Sequence, residues 1–177
     1  MQSIVGLLAL LALTVGMAAD AAQRGEMHGN WRVLHHGARA ASAEQIAPAQ
    51  GMRLRYFCTT RADGIAERLE LLDAGVAGLE DGARYRLRIG FSNGAEARAI
   101  AMIAHPDRGL LQSDGDIADL LTAIGDSPDI GYARGENRID AHPVSTQAFA
   151  EAVAAARAQC RQGQPVEPDG RGIGGGD

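Results

Sequence analysis

Lysine is absent from this chain: all 17 basic residues are arginine. Together with the excess of alanine and glycine, this reflects genomic base composition more than any particular chemistry. Positive charge as a whole is scarce. The 22 acidic residues leave a formal net charge of −5, which excludes the basic balance of a general nucleic-acid binder. Long apolar runs are missing too. The best candidate, Ile4 to Met17, holds about 14 residues, where a bilayer-spanning helix needs roughly 20. No arginine precedes that run and no cysteine comes directly after it, which excludes attachment as a lipoprotein. No internal repeat is visible.

After the apolar run comes a set of small residues with an Ala-x-Ala match at Ala19-Asp20-Ala21, the pattern of a secretory signal peptide. Residues 1–21 are therefore expected to be removed on export, with no membrane span left after cleavage. Residues 22–28 read as a linker, and 29–161 as a single globular domain. The stretch "QGQPVEPDGRGIGGGD" at 162–177 is too rich in Gly and Pro to bury a core and reads as a disordered tail. The expected location is periplasmic or secreted.

Cysteine is also scarce, and its scarcity is informative. An exported chain with only two cysteines is expected to pair them in an oxidising compartment. In "MRLRYFCTT", Leu54, Tyr56 and Cys58 alternate with Arg53, Arg55 and Phe57, so a strand places Cys58 on its more apolar face. In "FAEAVAAARAQC", Phe149, Val153, Ala156 and Cys160 share one helical stripe. Both thiols thus point into the core, and a Cys58–Cys160 bridge would dock a C-terminal helix on a sheet. The fold class expected is α+β: an antiparallel β-sheet of hairpins with a C-terminal α-helix pinned to it by a disulfide.

The remaining elements are read from periodicity and turn chemistry. "GNWRVLHHG" is a first strand with Trp31 and Val33 on one face. A loop rich in Ala, Ser, Glu, Gln and Pro comes next, then a strand over 52–60. The stretch from Asp63 is open between a helix and a strand through Leu69 and Leu71. "ARYRLRIGF" is the clearest strand, followed by Asn93-Gly94, the signal for a type I′ hairpin turn. Glu96 to Ala104 suits either a returning strand or a helix, and 107–113 a short strand or loop. Asp116 to Ile124 reads as a short helix capped by Ser113 or Asp114 and ended by Gly125. A hairpin turning at Gly135-Glu136-Asn137 leads to the last helix, expected to start at Ser145 with Val144 and Phe149 as a hydrophobic staple.

Three patterns could carry chemistry. "GFSNG" matches G-x-S-x-G at Gly90, Ser92 and Gly94 and resembles the nucleophile elbow of α/β-hydrolases, where strand, serine turn and helix occur in that order. That resemblance implies Ser92 as nucleophile, Asp129 or Asp126 as acid and His142 as base. Against it, a buried parallel strand would have to sequester Arg84, Arg86 and Arg88, and no oxyanion-hole loop is recognisable upstream. The five histidines offer no zinc-ligand spacing, and "SDGDIAD" lacks the glycine position and distal Glu of an EF-hand loop. No metal and no cofactor are expected. The third pattern is a stripe of arginines. Arg84, Arg86 and Arg88 share one face of one strand, and Arg53 and Arg55 line another. If the two strands are neighbours, they form a basic patch able to bind anionic groups of an envelope polymer or a protein partner. The alternative is a solvated face balanced by Glu67, Glu70 and Glu96.

The layout as a whole resembles the small exported proteins associated with type VI secretion and those of the invasion-associated locus B type. The resemblance rests on the early Trp strand, the strand ending in Cys, the Arg-rich hairpin and the ending "RIDAHPVSTQAFAEAVAAARAQC". It implies a β-rich fold with a disulfide-pinned terminal helix and carries over no catalytic residue. The early Cys pair and the Ser-Pro-Met-Asp-Asp stretch of secretion-linked members are absent, so no secretion role carries over either. The expected function is an exported, non-catalytic envelope binding or accessory protein, with a small secreted serine hydrolase using Ser92 as the alternative.

Overall fold

The computed structural model describes residues 25–46, 53–72, 74–134 and 144–163. The expected signal peptide, the turn at 135–137, His142 and nearly all of the expected tail lie outside these residues. Ten strands form one antiparallel sheet: β1 (Glu26–His28), β2 (Trp31–His35), β3 (Ala40–Gln45), β4 (Arg53–Arg61), β5 (Gly64–Leu72), β6 (Arg84–Phe91), β7 (Arg98–His105), β8 (Leu110–Ser113), β9 (Asp129–Arg134) and β10 (Val144–Ser145). Their order across the sheet is β1-β2-β3-β4-β5-β8-β7-β6-β9-β10. Among the described residues there are two α-helices, α1 (Ala118–Gly125) and α2 (Phe149–Gln162). Among the described residues no helix is long and apolar enough to cross a membrane.

Alternation decides which face each strand buries. Trp31 and Val33, then Leu54, Tyr56 and Cys58, then Leu69 and Leu71, then Leu87 and Ile89 all point into one core with the buried stripe of α2. That helix packs across β1 to β4. Its first residue, Phe149, meets Trp31 edge to face at 4.8 Å, and near its end Cys160 is bonded to Cys58 across a 102-residue separation. Between these anchors Arg157 and Tyr56 both donate to the Glu67 carboxylate. Burial alone would raise the Glu67 pKa, but those two donors hold it below its ordinary value. Where the helix ends, Gly163 lies so close to the β2–β3 turn that an added Cβ would sit 2.2 Å from the Ala38 carbonyl. Only glycine fits there.

Several expectations need correction. Strand β1 occupies 26–28, inside the expected linker, and pairs with β2 through Glu26↔Val33. The Ala/Ser/Glu/Gln stretch, expected as a loop, is β3, because β2 and β4 take up hydrogen bonds on both its sides. The open stretch after Asp63 is β5, with all nine residues from Gly64 to Leu72 in register with β4. The connection after β6 runs over residues 92–97, longer than a two-residue type I′ turn. Helix α1 is opened by Asp116, whose carboxylate accepts from the Ala118 N–H at 2.9 Å. Ser113 instead accepts from the Leu69 N–H inside the sheet. Helix α2 starts at Phe149 after Ala148, because Ser145 is held in β10 against Asp129; Val144 and Phe149 are both buried but do not flank the cap as the expected staple.

Candidate functional site

The arginines on β6 point where alternation sends them. Tyr85, Leu87 and Ile89 pack on or in the core, while Arg84, Arg86 and Arg88 are exposed on the opposite face. Beside them on β7, Ile103, Ala101 and Ala99 stand directly opposite in register. An open depression of about 350 Å³ is lined by residues from both faces of this strand pair, Arg84, Arg86, Ala99 and Ala101 of the outer face and Tyr85 and Ile100 of the core face. Arg84 reaches the Asp114 carboxylate at 2.7 Å. Arg86 and Arg88 have no ion pair among the described residues.

Arg53 and Arg55 meet a different fate. Their strand is not a neighbour of β6, because β5, β8 and β7 lie between. The register does place them on the same face, through the row Arg55, Glu70, Gln112, Ile103 and Arg84. Four interstrand steps of about 4.8 Å separate the ends of that row by roughly 19 Å along the sheet. Arg53 and Arg55 are also engaged. Glu70 is fully buried and Glu44 nearly so. Arg55 donates to Glu70 at 2.5 Å and to Glu44 at 3.2 Å. Arg68 holds the other Glu70 oxygen at 2.6 Å, and Arg53 lies 3.7 Å from Glu44. Arg68 also stacks over the Phe57 ring at 3.9 Å. His36, hydrogen-bonded to Ser42, stacks on the same ring. Burial pushes the His36 imidazole below its ordinary pKa, with Arg55 adding to the effect and Glu44 opposing it. This is a framework of paired charges, and the two arginine sets do not form one patch.

Of the acids expected to balance the arginines, Glu70 does so for Arg55, and none reaches Arg84, Arg86 or Arg88. Glu67 is bound to Arg157 and Tyr56 beneath α2, and Glu70 to Arg55 and Arg68. Glu96 is exposed in the 92–97 connection and makes no ion pair among the described residues.

Ser92 sits in that same connection. The segment after it is strand β7, so the strand, turn and helix order of a nucleophile elbow is not formed. Its hydroxyl is occupied by backbone: it accepts from the Asp129 N–H at 3.1 Å and donates to the Asp129 carbonyl at 3.0 Å. The Ser92 N–H also donates to that carbonyl and to Ser127. Asp129 thus meets Ser92 through its main chain, and Asp126 enters only through its carbonyl, which accepts from Asn93. Gly94, at φ 83°, supplies the left-handed turn residue. The G-x-S-x-G stretch serves to lash the β6 end to the start of β9.

One cluster has no signature in the sequence. His105, at the end of β7, lies with Asp81 and Asp107 so that one ligand atom from each falls within 4.8 Å of the others. Two of these belong to the short "HPD" run, but Asp81 arrives from the β5–β6 connection, which no local spacing reveals. Both carboxylates are exposed.

No protein-family model matches the chain, and no curated protein matches it. Among solved structures it is similar to the crystal structure of invasion associated protein B from Bartonella henselae, with a TM-score of 0.50 and 12% identity, covering 77% of this chain and 97% of that one. At that identity the likeness is one of fold.

Proposed function

We propose that this protein is an exported, non-catalytic binding or accessory protein of the cell envelope, which holds an anionic partner on the outer face of β6. One observation carries the reading: Arg86 and Arg88 stand exposed without an ion pair among the described residues, while arginines elsewhere on the same sheet face are sunk into carboxylates. Two guanidinium groups about 7 Å apart repel by roughly 0.6 kcal/mol in water. An anion laid between them relieves that repulsion and adds charge-assisted hydrogen bonds. The Cys58–Cys160 bond fits an oxidising compartment, the N-terminal pattern fits export, and the fold likeness to invasion associated protein B is compatible with a non-catalytic role.

The test is capture from envelope extract by the wild type and by the Arg84→Gln, Arg86→Gln, Arg88→Gln triple variant, at low and moderate salt. Salt-sensitive capture by the wild type, weakened in the triple variant, is the expected result. Identical recovery by the two proteins would return the stripe to an ordinary solvated face.

A further inference from the structure

Building on that reading, we infer that the partner presented to β6 is an extended acidic polypeptide segment with carboxylates on alternate residues, laid lengthwise along the strand. Arg84, Arg86 and Arg88 are separated by two residues each and all face outward, so their Cα atoms repeat about every 6.6–6.8 Å. A chain in strand conformation with Asp or Glu at every second position repeats at the same interval. Carboxylates can then meet Arg86 and Arg88, and Arg84 by exchange with its Asp114 partner, in one register without bending either backbone, and the planar guanidinium can meet each carboxylate with two hydrogen bonds.

The ground beside the arginines points the same way. On the β7 side Ala99 and Ala101, opposite Arg88 and Arg86, are exposed and short. The strip is therefore cationic along one edge and apolar along the other. An alternating peptide presents carboxylates to one edge and neutral side chains or backbone to the other. A polyphosphate is charged along its whole length and gains nothing from the alanines. A single small anion finds no enclosure on this exposed strip and would engage at most two neighbouring arginines.

The experiment uses the intact oxidised protein and short fluorescent peptides, read by anisotropy at low and moderate salt. One peptide carries Glu at every second residue; its isomer has the same composition with the glutamates in one block. Polyphosphate competes in a third arm. The alternating peptide is expected to bind about 10-fold more tightly than the blocked isomer, the size of effect that one properly formed charge-assisted hydrogen bond supplies. It should lose that advantage in the triple Gln variant. Equal affinity of the two isomers, with both lost in the variant, would overturn the inference while leaving anion binding at β6 in place. Displacement by polyphosphate at lower charge concentration than the alternating peptide would also overturn it. Peptide binding unchanged in the variant would sink the inference and the β6 site together.

Discussion

Replacing Cys58 and Cys160 together by alanine should lower the unfolding free energy by about 2–5 kcal/mol, out of a total that for most domains is only about 5–15 kcal/mol. The reason lies mainly in the unfolded chain. The bond spans 102 residues, and cross-linking a loop of that size removes much of the disorder the unfolded state would gain, with roughly 4.7 kcal/mol as the chain-entropy figure for 100 residues. The folded state keeps other ties to α2: the Trp31–Phe149 contact, the Thr60 hydroxyl on the Cys160 carbonyl, and the Tyr56–Glu67–Arg157 group. The variant is therefore expected to fold with α2 still docked but to unfold earlier in denaturant. Both proteins should lose stability in acid by a similar amount. Glu67 has a lowered pKa in the folded state, so its contribution is fully present above the unfolded carboxylate pKa and is lost as pH falls through the folded one. Denaturant titrations of the oxidised wild type and the double variant, at neutral and at acid pH, measure both effects. Coincident midpoints at neutral pH would contradict the role given to the bond.

Arg55→Ala should be the most damaging single substitution on the outer face, at about 3–5 kcal/mol, the usual cost of stranding one member of a buried ion pair. Glu70 has no exposed surface, and Arg55 contributes both a donor to it and a link to Glu44. Arg68 still holds one Glu70 oxygen, which places the expected loss toward the lower end of that range. Stability should recover when the acid is removed as well. Arg55→Met combined with Glu70→Leu is expected to regain most of the loss, because a buried pair spends much of its attraction on desolvation. Chemical unfolding of the single and double variants separates these outcomes. A single variant as stable as wild type would mean that the row through Glu44, Arg55 and Glu70 is not framework.

How much of the fold the sequence disclosed depends on the range of each interaction. The alternation of Leu54, Tyr56 and Cys58, that of Tyr85, Leu87 and Ile89, and the stripe ending at Cys160 are local patterns, so the core faces and the disulfide were legible. Strand β3 was not. Its "AASAEQ" has weak strand propensity and becomes a strand because β2 and β4 flank it. Its Glu44 is buried only because arginines from β2 and β4 surround it. The outward direction of Arg84, Arg86 and Arg88 could be read from period two. That Arg53 and Arg55 belong to a different neighbourhood depends on the order β4-β5-β8-β7-β6, and alternation within a strand does not encode strand order. The G-x-S-x-G match left the next element open for the converse reason. Five residues specify a tight turn, but whether a helix or a strand comes next is settled by pairing of β7 with both β6 and β8.

That the β6 arginines stand outside the folding framework, as a ligand-binding role requires, is tested most directly by a denaturant titration of the Arg84→Gln, Arg86→Gln, Arg88→Gln variant beside the oxidised wild type. Arg84 has one exposed ion pair and the other two have none among the described residues, and exposed pairs contribute about 0–1 kcal/mol. The predicted result is an unfolding free energy within about 1 kcal/mol of wild type. A loss of several kcal/mol, comparable to that of Arg55→Ala, would contradict it and make the strip part of the framework.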